Sequence, residues 1–365
     1  MNHEFDINAF FALVRAGLWK KDVRLSQYGK VDFEDVLRLA SEQAVVGLVA
    51  TALEHVTDVI IPKMAALHFA GTTLQLEQRN KAMNSFIAET VEGMRKEGIN
   101  TLLVKGQGIA QCYENPLWRT SGDIDFFLSE ENYQKAKTYL APLSSRGKPE
   151  RRYSKEIGFY IDQWLIELHG TLHSGLSTRV DKLIDEVQKA VFKDGKVRTW
   201  MNGRTQVLLP AADEDVFFVF THFVKHFFKE GGVTLRQMCD WSRLLFCYRD
   251  KLDLRVLESR IRRTGLISEW RAFASLAVDY LGMPVDAMPL YSEDEKWRKK
   301  AFGIVAFILK GGEWRKWRDT MAVAQIFPWS TLKFAPGILL NVNWMKVKER
   351  FLGSFTLTLK RRRNG

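Results

Sequence analysis

The strongest constraint on the fold comes from residues 122–128 (GDIDFFL), which set two acids inside a β-prone apolar run. In a strand, residues two apart point to the same face, so Asp123 and Asp125 stand side by side, roughly 7 Å apart at Cα. Two like charges on a half-buried face are costly unless a cation neutralises them. Paired carboxylates suit Mg²⁺; the alternative is two surface acids at a solvated strand end. The apolar residues of the run would face a core: Ile124, Phe126 and Leu128.

A glycine turn lies upstream of the two acids. Residues 100–104 (NTLLV) predict a short buried strand, and Lys105-Gly106-Gln107-Gly108 follows it directly. A strand, a glycine turn and a helical stretch at 109–113 together offer backbone N–H groups to an anion. The turn lacks the Gly-Lys-Ser/Thr ending of a P-loop and the third glycine of a dinucleotide fingerprint. It therefore indicates an anion site of another type, unless Lys105 is simply a lysine at a strand end.

A third carboxylate follows in residues 158–169 (GFYIDQWLIELH), which predict one or two strands. Alternation buries Ile166 and Leu168, so Glu167 and His169 share the opposite face. An acid on a neighbouring strand can complete a metal site or accept a proton from an attacking hydroxyl. The alternative is an exposed glutamate on an amphipathic edge strand.

The segment 212–229 reads as a helix with a basic face. Acids occupy its first turn, and Gly231-Gly232 ends it. The next helix carries Arg236, Asp240 and Arg243. A basic helical face beside a carboxylate strand is what a triphosphate cleft needs, although such faces are also found simply solvated. The residues of the face recur at helical spacing: His222, Lys225, His226 and Lys229.

Taken together, these residues resemble the nucleotidyltransferase superfamily, which has the polymerase-β-like fold, and more narrowly its uncharacterised bacterial nucleotidyltransferase family. The resemblance covers about residues 30–250. One departure is Gln107, which stands where the superfamily has a second small residue, with Gly108 one step later. The matching positions are Lys105-Gly106, Tyr113, Arg119, residues 122–125 and Glu167-Leu168-His169, with further likeness at His222, Arg236 and Asp240.

The predicted elements and this resemblance indicate an α+β fold. A small mixed nucleotidyltransferase-type β-sheet is flanked by N-terminal helices, at 32–56 and 63–97, and is followed by a helical C-terminal domain. Asn202-Gly203 predicts a hairpin before that helical domain. We expect an N-terminal helical section packing on the core, a catalytic core, a helical domain closing the cleft and a basic Trp-rich tail: 1–98, 99–209, 210–312 and 313–365.

The resemblance implies a reaction and roles for these residues. The reaction is Mg²⁺-dependent transfer of a nucleoside monophosphate from an NTP to an acceptor hydroxyl, with two ions and release of pyrophosphate. Asp123 and Asp125 would hold metal, and Glu167 would be a third ligand or the base. A sugar, an antibiotic-like small molecule, a protein side chain and an RNA end all remain open as acceptors. The triphosphate would meet Lys105, Gly106, Gly108, Arg119, Ser121, His222 and Arg236.

The charge and composition of the chain indicate a second, alternative function. The net charge is +11, and residues 346–363 contain seven Lys or Arg and one acid. Tryptophans beside arginines in the tail are suggestive of an interfacial helix. The alternative function is therefore a catalytically inactive nucleotide-binding or scaffold protein, working through this tail at a membrane surface or on RNA.

Location can also be predicted from the chain. There is no secretory signal pattern at the N-terminus and no run of about 18 uncharged apolar residues, so we expect no transmembrane segment. The three cysteines, Cys112, Cys239 and Cys247, lack metal or redox spacing, which indicates buried thiols in a reducing compartment. We predict a cytoplasmic protein, with peripheral membrane contact through the tail as the open alternative.

Overall fold

A computed structural model describes residues 2–230, 233–310 and 323–334 of the chain. Within them, a seven-stranded mixed sheet forms the centre. Its strands are β1 (Leu102–Val104), β2 (Ile124–Phe127), β3 (Arg146–Arg151), β4 (Glu156–Ile161), β5 (Trp164–His169), β6 (Val197–Asn202) and β7 (Thr205–Pro210). The strand order is β3-β4-β5-β2-β1-β7-β6. β2 runs parallel to β5 and antiparallel to β1, so residues far apart in the chain meet at the middle of the sheet.

Helices cover both faces of this sheet. They are α1 (Asn2–Trp19), α2 (Phe33–Glu42), α3 (Val46–Leu53), α4 (Lys63–Lys96), α5 (Gly106–Ala110), α6 (Glu130–Leu140), α7 (Thr178–Phe192), α8 (Ala212–Lys225), α9 (Leu235–Tyr248), α10 (Leu254–Thr264), α11 (Ile267–Asp279) and α12 (Glu295–Leu309). A π-helical turn at His226–Glu230 extends α8, and a short helix lies at Pro328–Phe334. No helix in the described ranges is both long enough and apolar enough to cross a bilayer.

The long helix α4 matches its prediction, and the helix before it does not. α4 begins after Pro62 and ends just before Gly98, whose φ of +70° suits a helix stop. The single helix expected at 32–56 is wrong, because the chain breaks between α2 and α3 with Ala44 at φ +56°. The break lets the buried Gln43 side chain bond two distant backbone groups, the carbonyl of Ile308 and the N–H of Leu235.

Two hydrophobic cores lie on the two faces of the sheet. On one face, α4 and α6 pack over Ile124, Phe126 and Leu128, the residues predicted to point inward from the acid-bearing strand. On the other, Phe127 joins a larger core that α1–α3 share with α8–α12. The alternation of β2 therefore contributes side chains to both cores, and Asp125 shares the face of Phe127.

The fold class predicted from the sequence is confirmed: an α+β protein with a mixed sheet, N-terminal helices and a helical C-terminal region. α1 is fastened to that C-terminal region, because Arg15 Nη1 and Trp19 Nε1 donate to the carbonyls of Tyr280 and Leu281 at 3.2 and 2.5 Å. The bounds of the four predicted segments stay predictions. Of the predicted tail, 313–365, residues 313–322 and 335–365 lie outside the described residues.

The cysteines only partly follow expectation. Cys112 and Cys239 are buried as predicted, but the expectation is wrong for Cys247, which is exposed. Cys247 lies in the last turn of α9, where the helix reaches the surface.

Candidate functional site

The candidate site is built on a row of residues that crosses the sheet. In the register of the strands, Asp125 on β2 lies opposite Val104 on β1 and Glu167 on β5. Glu167 in turn lies opposite Gly158 on β4. Asp125 is 2% exposed, so its carboxylate must be compensated within the protein.

Two side chains provide that compensation. Lys105 Nζ lies 2.7 Å from Asp125 Oδ1, and His169 Nε2 lies 2.8 Å from the same oxygen. Burial alone would raise the pKa of Asp125, but the charge of Lys105 and the hydrogen bond with His169 outweigh it and lower the pKa to about 2. The carboxylate is therefore ionised throughout the physiological range.

The glycine turn delivers Lys105 to this position. Lys105 has φ +57° and ψ −150°, a conformation that costs a non-glycine residue about 1–3 kcal/mol. Gly106 follows at φ +44°, a region that glycine adopts readily. The strained junction between β1 and α5 thus directs an ammonium onto Asp125, and such strain is concentrated at functional sites.

A group of side chains here could hold a metal ion. Ligand atoms of Asp125, Glu167 and His169 all lie within 4.8 Å of one another. The sequence-based trio contained Asp123 in place of His169. Asp123 precedes β2 by one residue and lines the same cleft, outside this tight group. His169 was placed on the correct face by alternation, and its contact with Asp125 was the part that reasoning from sequence missed.

The donor set fits a hard cation. Mg²⁺ prefers carboxylate oxygens, and Asp125 and Glu167 supply them from adjacent strands. The Nε2 atom of His169 is already engaged with Asp125, as expected for a residue that orients a ligand carboxylate. Glu167 has its own cation, since Lys148 Nζ lies 2.7 Å from Oε1.

These carboxylates form the floor of a cleft of 380 Å³ between the sheet and the helices α8 and α9. Gly108 and Ser121, both predicted to meet a triphosphate, are not among its lining residues. A Cβ on Gly108 would lie 2.8 Å from Leu209 Cδ2, so this glycine permits close helix–sheet packing. Eight predicted residues do line the cleft: Lys105, Gly106, Arg119, Asp123, Asp125, Glu167, His222 and Arg236.

Arg119 lies at the wall of the cleft, and its guanidinium already donates hydrogen bonds to other side chains. Its Nε and Nη2 atoms donate to the two oxygens of Asp240 at 2.7 and 2.6 Å, and Nη1 donates to Ser121 Oγ at 2.9 Å. The Tyr113 hydroxyl donates to Asp240 as well, at 2.7 Å. Burial and the Asp240 charge raise the pKa of Tyr113 well above its usual range, so it stays a neutral donor. Three motif positions thus form one buried network.

Of the predicted basic face, His222, Lys225 and His226 line the helical wall of the cleft, and Lys229 is not among the lining residues. His222 Nε2 lies 3.3 Å from Lys105 Nζ and 3.4 Å from His226 Nε2. Burial, Lys105 and His226 lower the pKa of His222 well below its usual value, so its imidazole is neutral. Neutral His222 can therefore accept a hydrogen bond from the Lys105 ammonium.

Arg236 is the other cation of this wall. Its Nη1 donates to the carbonyl of Thr120 at 3.0 Å, while its buried Nε lacks a hydrogen-bond partner. Among the described residues, no carboxylate forms an ion pair with it. Burial and the neighbouring Arg119 lower its pKa. An arginine placed in this way can still offer donors to an anion in the cleft.

Comparison with known proteins shows which family the chain belongs to. A model of the uncharacterised nucleotidyltransferase family matches residues 29–282, more than two thirds of the chain. No curated protein and no solved structure matches the chain. The matched span contains both the carboxylate strands and the basic helical wall. The chain therefore belongs to the uncharacterised nucleotidyltransferase family.

Proposed function

We propose that this protein is a Mg²⁺-dependent nucleotidyltransferase that moves a nucleoside monophosphate from an NTP to an acceptor hydroxyl and releases pyrophosphate. The observation that carries the proposal is the convergence of Asp125, Glu167 and His169, with ligand atoms within 4.8 Å of one another, on the floor of a basic-walled cleft. Family membership supports nucleotidyl transfer as the class of reaction.

The carboxylates would hold the metal. Asp125 and Glu167 provide oxygens from adjacent strands, and Asp123 lies beside them at the start of β2. Metal ions held by these carboxylates would supply charge stabilisation for the attacking and leaving oxygens of an in-line displacement. His169 fixes Asp125 through Oδ1, which leaves Oδ2 available to a ligand in the cleft.

The cations of the cleft would bind the triphosphate. Lys105 lies within reach of both Asp125 and His222, so its ammonium can contact a phosphate without leaving the floor of the cleft. Arg236 supplies further donors from α9. Arg119 stabilises the wall of the cleft by its ion pair with Asp240. Because its guanidinium is already engaged by that carboxylate, Arg119 is a positioning residue in this proposal.

Glu167 has two compatible roles. As a carboxylate beside Asp125 it can complete the metal site, and at the same place it can accept the proton of the acceptor hydroxyl. The acceptor would enter between the β3–β4 turn and the end of α8, where the cleft is lined by Arg151, Ser154, His173 and Lys225.

The test compares NTP binding with and without Mg²⁺ by calorimetry, in the wild type and in Asp125→Asn. We expect Mg²⁺-dependent binding that weakens by about a hundredfold, 2.7 kcal/mol, in Asp125→Asn, because the metal loses a charged ligand. Pyrophosphate release across a panel of acceptors measures turnover in the same samples.

A matched control is Asp162→Asn on the β4–β5 turn. Asp162 is exposed and has φ +51°, a conformation that asparagine also adopts. Its replacement should leave binding unchanged. Binding that is independent of Mg²⁺, or equal in wild type and Asp125→Asn, would contradict the proposal.

A further inference from the structure

Lys148 reaches the carboxylate floor from two strands away. Lys148 on β3 lies opposite Gly158 on β4, and Gly158 lies opposite Glu167 on β5. Residues directly opposite on neighbouring strands share a face of the sheet, so the Lys148 side chain lies on the same face as Glu167, which lines the cleft. Lys148 Nζ ends 2.7 Å from Glu167 Oε1, although the two backbones are separated by an intervening strand.

Gly158 makes this reach possible. A Cβ at position 158 would lie 3.1 Å from Lys148 Cδ and 3.2 Å from Lys148 Cβ. The aliphatic part of Lys148 therefore passes directly over the backbone of Gly158. A larger residue on β4 would fill that space and push the ammonium away from Glu167. Glycine is otherwise unfavourable within a strand, and it often marks a close approach.

Asp125 and Glu167, the two carboxylates on adjacent strands, are thus each already paired with a lysine ammonium. Lys105 lies on Asp125, and Lys148 lies on Glu167, both at 2.7 Å. The two lysines differ in freedom, because the Lys148 side chain is 46% exposed and that of Lys105 is 17% exposed. Lys148 can move into solvent with little loss of packing, whereas Lys105 is held at a strained turn.

We propose that Lys148 is a displaceable counter-ion: it neutralises and positions Glu167 until a divalent cation takes over that carboxylate, and it must leave for the cation to bind. This inference rests on the proposed function, which makes Glu167 a metal ligand. It assigns Lys148 as a positioning residue that sets the metal affinity of the site, and Gly158 as the residue that lets it do so.

A second lysine pair offers a matched comparison. Lys137 on α6 lies 2.7 Å from Glu150 on β3, with side-chain exposures of 25% and 31%. This pair has the same ion-pair distance, and Tyr133 also donates to Glu150. Glu150 does not line the cleft, whereas Glu167, the partner of Lys148, does. Removing Lys137 should therefore change no metal affinity, while removing Lys148 should increase it.

The experiment is Mn²⁺ titration of the full chain, with free Mn²⁺ measured by electron paramagnetic resonance. We expect Lys148→Met to bind Mn²⁺ about three- to tenfold more tightly than wild type, because the ion no longer competes with an ammonium. Lys148→Arg keeps the cation and should bind like wild type. Gly158→Val should shift affinity in the same direction as Lys148→Met, and the double variant should show no further gain.

Unfolding cannot produce a gain in affinity, so the direction of change is decisive. One result would overturn this inference and leave the proposed function standing. In that result, wild type binds Mn²⁺, Asp125→Asn abolishes the binding, and Lys148→Met binds Mn²⁺ no more tightly than wild type. Equal Mn²⁺ binding in wild type and Asp125→Asn would overturn both. A wild-type protein that binds no Mn²⁺, even with an NTP present, would also overturn both.

Discussion

Two buried aspartates near the same cleft, Asp125 and Asp240, are each paired with a cation. They differ in how many of their carboxylate oxygens are engaged by neighbouring side chains. Asp240 has both oxygens engaged, Oδ1 by Tyr113 and Arg119 and Oδ2 by Arg119. The contacts of Asp125 with Lys105 and His169 both fall on Oδ1. A saturated carboxylate stabilises the structure, whereas a half-engaged one in a cleft can accept a ligand.

The difference is one of geometry, since both residues are almost fully buried, at 2% and 4% exposure. Arg119 offers a rigid fork that matches the two oxygens of Asp240, while Lys105 is a single ammonium on one oxygen. We therefore interpret the Arg119–Asp240 pair as structural and the Lys105–Asp125 pair as part of the binding site. Replacing each partner separates the two roles.

The largest effect on folding should come from Arg119→Met. The change leaves Asp240 buried without its cation, so we expect the free energy of unfolding to fall by about 3–5 kcal/mol. Urea denaturation followed by circular dichroism measures it. Arg262→Met, which removes an exposed arginine bonded to Glu258 on α10, is the control and should change stability only slightly. A loss as small as that of the control would show that the Arg119–Asp240 pair is not structural.

Lys105→Met should have a smaller effect on folding, about 1–3 kcal/mol, because Asp125 keeps its bond with His169 and faces the cleft. Methionine leaves the strained backbone at position 105 as it is, so the change isolates the charge. In this variant Mg²⁺ should restore stability more than it does in wild type, since the ion replaces the missing ammonium. Thermal unfolding with and without Mg²⁺ measures this, and equal Mg²⁺ stabilisation in the two proteins would contradict it.

Glu269 is a third buried acid, and it should give the smallest effect. Ser330 donates to its Oε1, while Oε2 is buried without a partner. Burial raises its pKa, although Ser330, Lys300 and Lys333 act in the opposite direction. A raised pKa means that its contribution to stability is present below the unfolded-state pKa and is lost as pH rises through the folded-state pKa.

Glu269→Gln should therefore flatten the fall in stability across that window, measured by denaturation at a series of pH values. A wild-type curve with the same slope as the Glu269→Gln curve would show that burial does not disfavour the charge there.

Parts of the fold follow from local patterns. Alternation along 122–128 correctly assigned Ile124, Phe126 and Leu128 to one core, and Pro62 and Gly98 marked the limits of α4. These predictions succeed because strand alternation and helix boundaries depend on neighbouring residues.

The ion pairs of the site depend on long-range register, which local patterns do not contain. Arg119 and Asp240 are 121 residues apart, and the contact of Lys148 with Glu167 requires the pairing of three strands. The break at Ala44 likewise serves the bonds of Gln43 with Leu235 and Ile308, which become evident only when the helices pack.

The most direct test of the account is a crystal structure with Mg²⁺ and a non-hydrolysable NTP. We predict a cation bonded to carboxylate oxygens of both Asp125 and Glu167 at about 2.0–2.1 Å. The triphosphate should lie against Lys105 and Arg236, with the Lys148 ammonium displaced from Glu167. A nucleotide bound elsewhere, or a cation that contacts neither carboxylate, would contradict the assignment of this cleft as the catalytic site.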